Sequence, residues 1–329
     1  MAKIVLKTDG DFRDVGMERK LLQDAGYELV ERNCLTSMDV LEACRELNPD
    51  ALIVLKAPIN QEVMASATSV KAISRYGIGL DMIDMSAASE MGIPVAYVPD
   101  YCVDEVSNHA ISLMFSAERR LLIFDRKVRK GDWSMDGIAP VHRFSEKTLG
   151  LLGFGRLSRA VAQKMKAFDV RLTSFDPLVK GEEMAALDVE KAETIDELLA
   201  NSDIISIHVP LTRQTHGLIG KEALEKMKKG SVVINTSRGG IVDQKALLES
   251  IKTGHIASAG LDVFEEEPIN PSDPILKESR IVLSPHVSYY SEEALSQVQS
   301  DTAQGIVDIL RGKRPRNLAN PEVWGKRRT

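Results

Sequence analysis

The sequence predicts an α/β protein with parallel sheets, because two kinds of segment alternate along it. Short apolar runs, typical of buried strands, come at residues 4–6, 51–55 and 94–98. Stretches with helical periodicity, such as residues 17–25 and 39–47, separate them. Helices between successive strands cover both faces of a sheet, so we expect a doubly wound parallel sheet.

A second alternation begins in the middle of the chain and predicts a second sheet. Before it, apolar spacing over residues 103–130 predicts one long helix that ends at Gly131, followed by a loop to residue 147. Six strands are then expected at residues 148–153, 170–175, 203–208, 230–235, 256–261 and 280–284. Helices expected at residues 156–167, 221–227 and 244–252 complete a dinucleotide-type doubly wound domain, and a last helix is expected at about 291–311.

Composition narrows the function classes. Lys and Arg total 42 against 48 Asp and Glu among 329 residues, a net charge of −6, and aromatic residues are 5%. This balance argues against nucleic-acid partners. No apolar run is long enough for a membrane helix, and the first residues do not resemble a signal peptide. Three cysteines without CxxC spacing predict neither a disulfide framework nor a metal site, so we expect a cytoplasmic protein.

Polar residues of chemical use follow most strands of the second sheet. The carboxyl ends of parallel strands share one edge, where ligands bind. We therefore expect one site to contain Asp176, His208, Arg238, Asp262 and His286.

A glycine-rich turn follows the first strand of this second sheet. Gly153 permits a tight turn, and Gly155 lets the backbone approach a pyrophosphate at a helix N-terminus. Asp176 lies about 20 residues further on, where a carboxylate binds ribose hydroxyls and repels a 2′-phosphate. The cofactor predicted is NAD rather than NADP. Ser158 departs from the pattern, since Gly or Ala often stands there.

An arginine, a histidine and nearby acids suggest a reaction. Arg binds a carboxylate bidentately and polarises an adjacent carbonyl. Imidazole gives and takes protons near neutral pH, and a neighbouring carboxylate orients it. With a nicotinamide, this set predicts hydride transfer at C2 of a 2-hydroxy or 2-keto acid.

Several segments resemble the D-isomer-specific 2-hydroxyacid dehydrogenase family. They are residues 153–157 (GFGRL), 208–211 (HVPL), 215–219 (THGLI), 235–240 (NTSRGG), 260–268 (GLDVFEEEP) and 284–286 (SPH). The resemblance covers essentially the whole chain. It implies the catalytic residues Arg238, Glu267 and His286, with Arg238 binding substrate, His286 as acid and base, and Glu267 paired with it.

The resemblance also implies the cofactor-binding residues. Asp262 is expected at the nicotinamide side of the cofactor, Arg156 and Leu157 at the pyrophosphate, and Val209 and Thr236 along the adenosine and nicotinamide pockets. The full set is Gly153, Gly155, Arg156, Leu157, Asp176, His208, Val209, Pro210, Thr236, Ser237, Asp262 and His286.

The family's layout is discontinuous, with the cofactor domain inserted into the substrate domain. We expect residues 1–101 plus 290–329 to form the substrate domain and residues 102–289 the NAD-binding domain, each a Rossmann- or flavodoxin-like doubly wound sheet. In this family the helix from residue 103 and the following loop build a dimer, so a homodimer is expected.

The substrate-binding residues expected by resemblance are Arg75, Tyr76, Gly77, Ile78, Gly79, Arg238, His286 and Tyr289. Backbone amides of residues 76–79 are expected to hold the substrate carboxylate. Arg75 suggests a second anionic group, and a surface or interface ion pair is the alternative for it. Lys56 carries the same two alternatives. Tyr289 departs from the Gly-Gly common in the family and resembles the branch of the C-terminal-binding proteins.

Two functions remain open at this point. One is an NAD-dependent dehydrogenase of a small anionic 2-hydroxy acid, such as phosphoglycerate, glycerate or sulfolactate. The other is a regulator resembling the corepressors of that branch, which senses NAD(H) and binds partner proteins. The complete set of Arg238, Glu267 and His286 favours an enzyme.

Overall fold

A computed structural model describes residues 3–10, 12 and 14–328. The chain divides into two compact units. One runs up to Tyr101 and resumes at Ser291, and the other is Cys102–Tyr290. The chain thus leaves the first unit and returns to it.

The described residues form these strands: β1 Ile4–Lys7, β2 Glu28–Glu31, β3 Ala51–Val54, β4 Ala72–Arg75, β5 Val95–Tyr97, β6 Thr148–Leu152, β7 Arg171–Phe175, β8 Glu190–Lys191, β9 Ile204–Ile207, β10 Ser231–Asn235, β11 Ile256–Leu261 and β12 Ile281–Leu283. The helices are α1 Gly16–Asp24, α2 Ser37–Leu47, α3 Gln61–Ser66, α4 Met85–Glu90, α5 Val103–Glu118, α6 Leu121–Arg129, α7 Arg156–Met165, α8 Gly181–Ala185, α9 Ile195–Asn201, α10 Lys221–Lys226, α11 Gln244–Lys252 and α12 Glu292–Leu310.

The first unit is built on a five-stranded parallel sheet in the order β2-β1-β3-β4-β5. Strands β3 and β4 are buried along their whole length, as expected where helices cover both faces. Two hydrophobic clusters, one containing Leu52 and the other Ile53, lie on the two sides of β3. This doubly wound architecture confirms the predicted fold class.

The second unit is built on a seven-stranded parallel sheet in the order β12-β11-β10-β9-β6-β7-β8. The order reverses between β9 and β6, which creates the crevice where such folds bind ligands. Six of these strands match the predicted ones. The prediction of only six was wrong, because it missed β8, whose two residues Glu190–Lys191 are too short and too polar to show a strand pattern.

The prediction of one helix over residues 103–130 was also wrong. Two helices, α5 and α6, meet at Arg120, whose φ of 56° lies in the left-handed region. The Arg120 side chain is 6% exposed, and its Nη1 donates to the Ala117 carbonyl and to Ser258 Oγ, each at 2.5 Å. A buried guanidinium needs such acceptors, so the chain turns here although its apolar spacing continues.

Within the described ranges, no helix combines the length and apolar character required to span a lipid bilayer.

Candidate active site

The register of the second sheet places the ends of its strands together. Leu152 pairs with both Phe175 and Ile207, and Asn235 pairs with Ile207 and Leu261. Residues that follow these strands therefore start from one edge. The polar residues predicted there all follow strands of this sheet: Asp176, His208, Arg238, Asp262 and His286.

The turn after β6 has the geometry that a dinucleotide-binding turn requires. Gly153 has a φ of 91°, and a Cβ atom there would lie 2.9 Å from Val209 Cγ1 and 3.0 Å from the His208 carbonyl oxygen. Gly155 is the N-cap residue of α7, and a Cβ atom on it would meet nothing within 4 Å. The first turn of α7 is thus open to an anion, with Arg156 exposed at its start.

Asp176 is held beside this turn. Its carboxylate accepts hydrogen bonds from the amides of Phe154, at 2.8 Å, and Leu178, at 2.9 Å. The Phe154 side chain is buried, which anchors the turn, whereas Leu157 on α7 is partly exposed. A carboxylate fixed at this position fits the ribose of a dinucleotide, so the chain's residues fit NAD.

His208 follows β9 and is neutral at physiological pH. Burial lowers its pKa to about 4, and its Nε2 lies 2.9 Å from Ser206 Oγ. Val209 packs against the hydrophobic core, and Pro210 is exposed, with its carbonyl accepting from Thr215 Oγ1 at 2.6 Å. Residues 208–210 therefore pack beside the glycine turn and do not supply a charge to the site.

The loop after β10 carries Arg238 and is closely tied to the sheet. Ser237 Oγ donates to the Ile207 carbonyl at 2.7 Å, and Asn235 Nδ2 donates to the Arg238 carbonyl at 2.9 Å. Thr236 is 7% exposed. A Cβ atom on Gly239 would collide with the backbone of Phe264, so only glycine allows this loop to pack there. Gly239, next to Arg238, therefore packs against Phe264, which lies three residues before Glu267.

That acidic group is Glu267, and it pairs directly with His286. Glu267 Oε2 lies 2.6 Å from His286 Nδ1, and Oε1 accepts from the Phe264 amide at 3.1 Å. The side chains of His286 and Glu267 are 27% and 24% exposed. With Nδ1 donating to the carboxylate, the ring presents its Nε2 side for chemistry.

Asp262, the residue predicted at the nicotinamide, follows β11. Its side chain is 0% exposed, and its carboxylate accepts from Ser284 Oγ at 2.6 Å and from the amides of Val287 and Ser288 at 3.0 and 2.9 Å. These bonds hold the loop that carries His286. Tyr289, the next residue, is partly exposed on a turn.

The predicted substrate residues 75–79 lie in the first unit, where Arg75 ends β4 and the others follow it. Arg75 is 9% exposed. Gly77 has a φ of 116°, and a Cβ atom on it would collide with the Arg75 guanidinium and crowd the Tyr101 ring. The Tyr76 amide donates to the Val54 carbonyl at 2.9 Å, and its hydroxyl binds the buried Glu18 carboxylate. The amide and the hydroxyl of Tyr76 therefore both have hydrogen-bond partners within the first unit.

Ile78 and Gly79 differ from Tyr76 in this respect. Among the described residues, their amides have no carbonyl partner. Since the Tyr76 and Gly77 amides already donate to carbonyls, the amides in this segment that could bind a substrate carboxylate are those of Ile78 and Gly79.

Two contributions were missed from the sequence. Asp9 accepts hydrogen bonds from the amides of residues 55, 56 and 57, at 2.9, 2.5 and 3.1 Å, and so fixes the loop with Lys56. His109, on α5, reaches Ser284. A polar residue just after β1 was a usable signal for Asp9. His109 sits within a helical pattern and gave none.

Comparison with known proteins agrees with this geometry. The model of the D-isomer specific 2-hydroxyacid dehydrogenase NAD-binding domain matches residues 111–288. A glyoxylate reductase of Korarchaeum cryptofilum is 39% identical over 278 residues, 83% of each chain. A D-3-phosphoglycerate dehydrogenase of Archaeoglobus fulgidus is 39% identical over 287 residues, which are 87% of this chain and 54% of that one. The chain thus spans about half the length of this second relative.

Solved structures share the fold over nearly the whole chain. A glyoxylate reductase from Paecilomyes thermophila has a TM-score of 0.87 at 29% identity, covering 98% of this chain and 99% of that one. A D-lactate dehydrogenase from Aquifex aeolicus, solved with NAD and lactic acid, has a TM-score of 0.86 at 27% identity, covering 96% and 99%. The chain therefore belongs to the D-isomer specific 2-hydroxyacid dehydrogenase family.

Proposed function

We propose that this NAD-dependent oxidoreductase interconverts a small anionic 2-keto acid and its D-2-hydroxy acid, with His286 as the acid and base. The observation that carries the proposal is the 2.6 Å contact between His286 Nδ1 and Glu267 Oε2 at the ligand-binding edge of the second sheet. The open glycine turn at Gly153 belongs to the same edge. These are the two components that proton and hydride transfer require.

Each residue has a defined part in the reaction. NADH, when bound, supplies the hydride that forms the new C–H bond at C2. Arg238 binds the substrate carboxylate and polarises the adjacent carbonyl. His286 gives a proton to the carbonyl oxygen as the C=O double bond becomes a C–O single bond, and Glu267 stabilises the imidazolium beforehand. In the reverse direction His286 takes that proton back.

His286→Gln tests the acid–base role. Because glutamine cannot transfer the proton, we expect kcat to fall by about 100-fold or more, while NADH still binds at the glycine turn. Steady-state kinetics and a fluorescence titration with NADH measure the two properties. Comparable kcat values for the variant and the wild type would contradict the assignment.

We further propose that the substrate carries a second anionic group, a phosphate or a sulfonate, that Arg75 and Lys56 bind. Two observations support this. Arg75 is buried beside Gly77. Three backbone amides in the loop that contains Lys56 donate hydrogen bonds to the Asp9 carboxylate, which fixes that loop. A relative named D-3-phosphoglycerate dehydrogenase is consistent with a phosphate, while relatives named glyoxylate reductase favour a small acid without one.

A panel of 2-keto acids with NADH separates these substrates. Phosphohydroxypyruvate and sulfopyruvate carry the second anion, and hydroxypyruvate and glyoxylate lack it. We expect higher kcat/KM for the first pair and a loss of that preference in Arg75→Ala. Equal effects of Arg75→Ala on all four acids would reject the second anion. Binding of NADH without turnover of any acid would instead favour the regulator.

We propose a homodimer formed through α6 and the loop after it. Within the described part of the chain, α6 has no buried residue, and Leu121 and Val128 on it are 57% and 49% exposed. Trp133 and Met135 in the loop are 89% and 80% exposed, an apolar surface that a second copy would cover. Light scattering should give a dimeric mass, and Trp133→Glu should shift it toward the monomer. A monomeric wild type would refute this proposal.

We propose a cytoplasmic location. Cys34 and Cys44 are free and buried, as expected in a reducing compartment. Fractionation of cells that express the chain would test it, and recovery with a membrane or secreted fraction would contradict it.

A further inference from the structure

The loop that carries His286 is held by the carboxylate at the end of β11. The Asp262 side chain is fully buried and accepts hydrogen bonds from the amides of Val287, at 3.0 Å, and Ser288, at 2.9 Å. The His286 amide donates to the Asp262 carbonyl at 2.7 Å. His286 itself has a φ of 55°, a left-handed conformation that neighbouring contacts must stabilise. The backbone around the acid–base residue therefore depends on Asp262.

The same carboxylate is linked to helix α5 through a serine. Ser284 Oγ lies 2.6 Å from Asp262 Oδ1 and 2.8 Å from His109 Nε2. The serine hydroxyl has one proton, and it donates that proton to the carboxylate. His109 Nε2 must then be protonated and donate a hydrogen bond to Ser284 Oγ. His109 is therefore a hydrogen-bond donor here, whether its ring is the neutral tautomer with a proton on Nε2 or the charged imidazolium.

Close packing between α5 and β11 brings His109 within reach. Gly260 lies in β11, and a Cβ atom on it would be 2.8 Å from Leu113 Cβ on α5. Leu113 is one helical turn beyond His109 and is buried, as are five of the six residues of β11. The His109 side chain is 27% exposed, so it can be replaced without opening the core.

We propose that His109 is a positioning residue for the acid–base pair. By donating to Ser284, it fixes the serine hydroxyl toward Asp262, and Asp262 in turn fixes the backbone of residues 286–288. This chain of hydrogen bonds keeps the His286 ring against Glu267. The inference rests on the proposed function of His286, but its link to the loop geometry is independent of turnover.

Three single variants and one double variant test the inference kinetically. His109→Leu replaces the ring with an apolar side chain and removes the donor, so kcat should fall roughly 3- to 10-fold with little change in KM or in NADH affinity. His109→Gln keeps an amide donor and should recover most of the activity. Ser284→Ala should lower kcat, and adding His109→Leu to it should have no further effect, because both act through one hydroxyl. Melting temperatures serve as controls for folding.

Crystal structures of the two His109 variants give a readout without turnover. In His109→Leu the His286 Nδ1 to Glu267 Oε2 distance should lengthen from 2.6 Å, and in His109→Gln it should stay. Full activity of His109→Leu, losses that multiply in the double variant, or an unchanged loop in its crystal structure would each overturn the inference. An inactive wild type with the loop shift present would instead refute the proposed function alone.

Discussion

Replacing Glu267 with glutamine keeps the size of the side chain and removes its charge. The His286 Nδ1 to Glu267 Oε2 contact is 2.6 Å, and the two side chains are 27% and 24% exposed. Because both side chains are partly exposed, solvent screens the attraction between Glu267 and a protonated His286, and we take it as about 1–2 kcal/mol. The second carboxylate oxygen accepts from the Phe264 amide. In the glutamine variant the NH2 group must therefore face either that amide or His286 Nδ1, and both are donors. Both effects weaken the orientation of His286.

A loss of about 1–2 kcal/mol in the transition state corresponds to a roughly 5- to 30-fold lower kcat. Single-turnover reduction of a 2-keto acid, followed by the nicotinamide absorbance, isolates this step from product release. Glu266→Gln is the matched control, since Glu266 is exposed and adjacent in the chain. Equal rates for Glu267→Gln and the wild type would refute the role given to this pair.

Three further predictions concern cofactor choice, stability and pH. Asp176→Ala should weaken NADH binding by about 10-fold or more and reduce the preference over NADPH, as measured by fluorescence titration; an unchanged preference would contradict this. Tyr76→Phe should lower the free energy of unfolding by about 1–3 kcal/mol in urea, because the buried Glu18 loses a donor. Burial lowers the pKa of His208 to about 4, so the wild type should lose stability relative to His208→Asn as pH falls from about 6.5 toward 4, by roughly 2–3 kcal/mol. Parallel urea curves at both pH values would oppose that assignment.

The sequence was sufficient for the parts of the site that depend on strand ends. Asp176, His208 and His286 follow strands of a parallel sheet, and strand register alone brings such residues to one edge. The glycine turn at Gly153 was predictable for a similar reason, since backbone conformation determines that residue type.

Features that depend on side-chain contacts between distant segments could not be predicted. Arg120 ends a helix where its guanidinium donates a hydrogen bond to Ser258, far along the chain. Asp262 is turned toward Ser284 and the following amides, which no local pattern indicates. Tyr76 was predicted near substrate, and nothing in its segment reveals Glu18 as the partner of its hydroxyl.

Transfer of deuterium tests the central claim most directly. The protein would be given a 2-keto acid and NADH with deuterium at both C4 positions, and the product analysed by NMR and chiral chromatography. The account predicts one deuterium at C2 of the D-2-hydroxy acid, with a far slower reaction in His286→Gln. Product without deuterium at C2, or undiminished transfer in that variant, would contradict it.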